Sequence, residues 1–170
     1  GGAGPPPACG HGIPGASARG VGVVVNVQIM RWVDGWDGNR SRMDPVGEIS
    51  RQAERLIEVT YESLYAGIAA AKPGNTTGDI GAAIQAHAEA ERTSVVRDFV
   101  GHGVGQLFHD EPHNMHSGTP GTGVALKPGM ILHIELMHNQ ARPHVQIPAA
   151  RTTAVPPHRT HTPHAPASTP

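Results

Sequence analysis

The sequence predicts an α+β domain, on three observations. An apolar, β-branched run, Val21–Val33, ends at the turn signal Asp34-Gly35. Two long stretches, 48–71 and 77–92, then carry apolar residues at helical steps. Short apolar runs return after residue 94, broken by glycines. Strands and helices thus fall in separate blocks rather than alternating, as in α+β folds.

Each element has its own local signal. Residues 1–8 are Gly, Pro and Ala and predict a disordered leader. Val23-Val24-Val25 opens a strand that alternates towards Val33. Asp34-Gly35 predicts a hairpin turn, with the second strand returning through Trp36 towards Ser41. Ile49, Ala53, Leu56, Ile57, Thr60, Leu64 and Ile68 form one stripe of a helix over 48–71, and Lys72-Pro73-Gly74 stops it. Thr77 is the expected N-cap of a second helix to about Arg92, with Ile80, Ile84 and Ala88 inward and His87 on its surface. Val95, Val96, Phe99 and Val100 predict a buried strand, and Met130–Met137 another, with Glu135 inside an apolar run. A buried glutamate needs a partner. The stretch around His113 and His116 is expected to be a solvated loop at a cleft mouth, because Pro112 and the following glycines oppose a helix. Residues 141–170 hold seven prolines, four histidines and no acid, without hydrophobic period, and predict a disordered tail.

Composition narrows the function classes. The 170 residues suit one domain, here expected over 9–140. A net charge of −1 gives no reason to expect binding to nucleic acid or to a membrane surface. The single cysteine, Cys9, excludes an internal disulfide and fits a reducing compartment, so a cytoplasmic location is expected. No apolar run reaches membrane-spanning length, and GGAGPPPACG lacks the basic and apolar regions of a secretory signal. Oligomeric state leaves no trace in the sequence.

The chemistry gathers around Gly101-His102-Gly103-Val104-Gly105. Three glycines about one histidine predict a sharply bent backbone and an uncrowded imidazole. His109 follows seven residues later, with Asp110 and Glu111 behind it. Histidine is the commonest metal ligand and titrates near neutral pH.

VVRDFVGHGVGQLFHDEP (95–112) resembles the central signature of type I methionine aminopeptidases. HGIP (11–14), VVVNVQIMRWVDGWDGN (23–39) and LKPGMILHIELMHN (126–139) match further motifs of that family, in family order, over roughly residues 9–140. The resemblance implies the pita-bread aminopeptidase fold, a curved antiparallel sheet with outer helices, here incomplete at both ends. It implies a divalent-metal cofactor (Mn, Fe, Co or Zn) and, as partner, a peptide or nascent-chain N-terminus from which methionine is removed. Metal ions would polarise the scissile carbonyl while a glutamate takes a proton. Carried over residue by residue, His102 and Glu135 are metal ligands and Glu135 is also the candidate general base. His11 and His109 are expected to bind the substrate and assist catalysis.

The same comparison exposes departures. Two family aspartate ligands correspond to Gln28 and Asn39, and no acid follows Glu135 where the family carries its last glutamate. An amide keeps the shape of a carboxylate but not its charge, and only one of its two heads accepts. Asp34 sits in the turn and Asp37 is read out of register with Asn39, so neither is expected to replace them. The resemblance therefore predicts impaired or absent activity, with metal weakly held. The alternative is a non-enzymatic peptide- or protein-binding relative.

Overall fold

A computed structural model describes residues 22–140 and 167–168. The chain opens with a two-stranded antiparallel ribbon, β1 (Val23–Val33) and β2 (Trp36–Val46). Asp34 and Gly35 both take positive φ, 51° and 88°, which suits the right-handed twist of the flanking strands. The second strand runs five residues past the expected Ser41, since pairing continues to Val23↔Val46. One face, with Val27, Ile29 and Val33, is exposed, and the other turns Ser41 and Met43 inward.

Helix α1 spans Arg51–Ala70 and starts three residues later than the apolar period suggests. Ser50 sets the boundary: its hydroxyl accepts from the Ala53 amide at 3.2 Å. Helix α2 spans Thr77–Ala90, and its cap is Thr76 rather than Thr77. Thr76 and Asp79 satisfy each other's backbone amides in a capping box. Thr77 is buried, and its Oγ1 accepts from the Val124 amide at 3.1 Å.

The remaining strands are short: β3 (Ser94–Val95), β4 (Gly101–Gly103), β5 (Asp110–Asn114), β6 (Leu132–His133), β7 (Met137–Asn139) and β8 (Ala167–Ser168). They form two three-stranded sheets, ordered β3-β7-β8 and β5-β4-β6. The expected strand 130–137 is therefore two strands with different partners. β6 pairs with β4, β7 pairs with β3, and Ile134–Leu136 is the handover between sheets. Of the strand expected from Val95, Val96, Phe99 and Val100, only Val95 belongs to β3; 96–100 is irregular, and Phe99 and Val100 are half-buried. The core packs Leu64, Ile80, Ile84 and Ala88 of the helices against Val95, Leu126, Ile134 and Leu136. Glu135 thus sits between two core residues, at the point where the chain changes sheet. The expected leader (1–8) lies outside the described residues. So does the expected tail apart from 167–168, where β8 pairs with β7.

Candidate metal centre

His102 occupies the middle strand of the β5-β4-β6 sheet and is buried. Its flanking glycines act differently from the expected bend. Neither takes positive φ. They are sites of close approach: a Cβ at Gly101 would collide with the His133 carbonyl, and one at Gly103 with the Glu111 carbonyl. Glycine lets β6 and β5 close on β4 from both sides. Gly103→Ala is expected to separate β4 from β5 and cost about 3 kcal/mol or more, since backbone cannot move aside as a side-chain tip can. A urea midpoint equal to that of the unsubstituted chain would refute this.

Strand pairing then selects the neighbours of His102. His133 is its register partner on β6, so both side chains leave the same face. Glu135, two residues on in the irregular handover segment, brings its carboxylate to the same two imidazoles. His102 Nδ1 stands 2.8 Å from the Gly103 carbonyl oxygen and donates to it. The proton on Nδ1 leaves a lone pair on Nε2. That Nε2 lies 3.4 Å from Glu135 Oε1 and 3.4 Å from His133 Nδ1. His133 Nδ1 lies 3.5 Å from Glu135 Oε2. His102, His133 and Glu135 each place a ligating atom within 4.8 Å of the others, the one such group among the described residues.

Burial sets the charges. It pushes the Glu135 carboxyl up to about 7 and pulls His133 down to about 4, helped by His102 and His109. The His133 imidazole is neutral at pH 7, which is the ligating form. The Glu135 amide donates to His116 Nε2 at 3.2 Å, which steadies the backbone beneath the carboxylate. His109 is exposed, and its ring centroid lies 4.5 Å from that of His102. Partial burial, then His102, lowers its pKa.

The structure brings together His102, Glu135 and His109 of the expected site. Gln28 and Asn39 share one face of the ribbon, as the register Gln28↔Ser41 and Met30↔Asn39 requires. Asp37 also lies on that face, contrary to the reading that set it out of register with Asn39. Gln28 is exposed; Asn39 Oδ1 is buried with no hydrogen-bond partner among the described residues. Neither amide hydrogen-bonds to the cluster. The ribbon meets the site loop through the Asp37 amide, which donates to the Gly105 carbonyl at 2.7 Å, and through Trp36 against Gly105. His11 lies outside the described residues.

Two features escaped the sequence reading. His133 carries no motif signal, and its place beside His102 follows from the pairing of β6 with β4. The loop expected around His113 and His116 is partly strand β5, and only His113 is exposed. His116 is buried, because β5 pairs with β4 through Gly101↔Asn114 and draws it inward.

A sequence model of metallopeptidase family M24 matches residues 2–152. The chain is 46% identical over 129 residues to a methionine aminopeptidase of Rickettsia prowazekii, covering 76% of this chain and 50% of the relative. It is 44% identical over 145 residues to methionine aminopeptidase 1 of Bacillus subtilis, covering 85% and 58%. The crystal structure of the Rickettsia prowazekii methionine aminopeptidase superposes with a TM-score of 0.75 at 41% identity, over 78% of this chain and 54% of that one. The chain spans about half the length of the curated relatives it matches. The pita-bread fold expected above is the fold of these neighbours.

Proposed function

Because this chain belongs to metallopeptidase family M24, we propose that it is a methionine-aminopeptidase-like hydrolase domain acting on peptide or nascent-chain N-termini, with impaired activity. The observation that carries the reading is the convergence of His102 Nε2 and a Glu135 carboxylate oxygen at 3.4 Å. The donor set, imidazole nitrogen and carboxylate oxygen, fits a borderline divalent ion such as Zn, Fe, Co or Mn. His102 and Glu135 would hold it. Such an ion, when bound, polarises a substrate carbonyl as a Lewis acid.

The chain's own groups supply the rest. His102 is held in one tautomer by the Gly103 carbonyl. Glu135 is assigned the proton-accepting role that the family resemblance implies, with one carboxylate oxygen towards His102 and the other towards His133. His109, exposed beside His102, binds the substrate and presents an N–H to its carbonyl oxygen. His11 is assigned the same substrate-binding and assisting role, from the sequence motif alone. Gln28 and Asn39 are the reason for the impairment: a second ion would bring two more positive charges, and amides offset none of them. No helix among the described residues is long and apolar enough to cross a membrane. The proposed substrates are N-termini of cytoplasmic chains, in keeping with the single cysteine.

Methionine release from a Met-Ala-Ser peptide with added Mn²⁺ or Co²⁺ tests the reading. Release is expected at about one-hundredth or less of the rate of a relative with the full ligand set, and none after His102→Ala. Peptide binding without release, unchanged by His102→Ala, would replace it with the non-enzymatic alternative.

A further inference from the structure

We propose that His133 is a metal ligand and that this chain holds one divalent ion, not two, on His102 Nε2, His133 Nδ1 and Glu135. This deepens the hydrolase reading above and rests on it for the presence of a metal. The family resemblance supplies no such role for His133.

Distance is the first argument. The three separations are 3.4, 3.4 and 3.5 Å. Good hydrogen bonds to nitrogen or carboxylate fall at about 2.7–3.2 Å. Ligands bonded at about 2.1 Å to one tetrahedral ion stand about 3.4 Å apart. The trio is too open for a tight hydrogen-bonded network and has the edge length of a coordination polyhedron.

The second argument is the direction of the lone pairs. The Gly103 carbonyl accepts from His102 Nδ1, so His102 turns the lone pair of Nε2 towards His133 Nδ1 and the Glu135 carboxyl group. Three groups able to offer a lone pair to one point make a ligand set for a cation. His102 and His133 are 4% and 7% exposed, so water reaches them little.

Rigidity is the third. His102 and His133 are register partners on adjacent strands, and Glu135 is fixed by its amide on His116. Ligands set on sheet positions are preorganised.

Charge fixes the count. One dication against one carboxylate and two neutral imidazoles leaves a net charge of about +1. Two dications would leave about +3, and Gln28 and Asn39 add nothing to offset it. Two histidines and a glutamate around one ion also leave a fourth position for substrate.

The test uses the full chain, stripped by chelator and titrated with Co²⁺. One tight ion per chain is expected, with the intense visible absorption of tetrahedral cobalt. His133→Ala should weaken binding by about 100-fold, and Gln28→Ala should change it less than twofold. His133→Cys guards against a folding defect. It should retain an ion and add a thiolate-to-cobalt charge-transfer band absent from the unsubstituted chain, which already carries Cys9. Unchanged affinity in His133→Ala, no new band in His133→Cys, or two tight ions per chain would each overturn the proposal. Methionine release that ignores His133→Ala would leave the hydrolase reading standing and remove His133 from it. One tight ion at this trio without methionine release would do the reverse.

Discussion

Glu135→Gln is expected to weaken divalent-metal binding by about 100-fold or more, equivalent to about 3 kcal/mol, and to bring methionine release to the level of His102→Ala. Glu135 is the one charged group in the cluster of His102, His133 and Glu135. Glutamine keeps its length and one accepting oxygen. It leaves a dication facing three neutral ligands in a half-buried site. The metal-free protein should melt at the same temperature or higher, because a buried carboxylate has been replaced by a group that is cheaper to desolvate. Isothermal titration and thermal melts with and without metal read the two effects separately. Undiminished affinity would show that charge matters little at this site. It would also remove the physical reason for regarding Gln28 and Asn39 as damaging.

Acid should unfold this chain early. Burial holds His116 at about 3 and His138 at about 4 in the folded state, and His133 at about 4. In the unfolded chain each imidazole titrates near 6.5. Between these values the unfolded state binds more protons, so stability is full above about pH 6.5 and falls as the pH drops towards 4. Each histidine contributes roughly 1 kcal/mol per pH unit in that window. Glu135 opposes them with one proton, since its raised pKa lets the folded state keep a proton that the unfolded state releases above 4.5. The net slope is roughly 2–3 kcal/mol per pH unit, against a typical domain stability of about 5–15 kcal/mol. Urea midpoints at pH 7, 6 and 5 should fall steeply, and identical midpoints would refute the account.

His138→Leu isolates one member of that set. His138 is fully buried, and neither ring nitrogen has a hydrogen-bond partner among the described residues. Leucine is expected to raise stability at pH 7 by about 1–2 kcal/mol and to flatten the slope by one proton.

Local chemistry was legible in the sequence and long-range pairing was not. Asp34-Gly35 announced its hairpin because the turn needs two positive φ angles and those residues accept them. The apolar stripe of α1 was visible for the same local reason. The cap of α2 was misplaced by one residue because Thr76 and Asp79 act reciprocally, and adjacent threonines look alike. The division of 130–137 between two sheets could not be read, since it depends on partners at Ser94–Val95 and Gly101–Gly103. The same ignorance hid the purpose of Gly101 and Gly103, which only their neighbouring strands reveal. Within the candidate centre, His102 and Glu135 were visible through motifs. His133 became visible only when its strand was paired with β4. His116 lies in a stretch that reads as a solvated loop, and His138 just past an expected strand; the burial of both follows from sheet pairing.

Both tryptophans of the chain, Trp32 and Trp36, lie on the β1–β2 ribbon, and both are more than half exposed. The ribbon is held by its own ladder and, among its described side chains, buries only Ser41 and Met43, whereas the helices pack into the core. Regions with so different a share of the core open at different free energies. Intrinsic tryptophan fluorescence therefore reports the melting of the ribbon, while helical circular dichroism reports α1 and α2. Trp36 packs against Gly105, so its emission also senses the loop that follows His102. An optical signal meant for the whole molecule would follow one limb and the rim of the candidate metal centre.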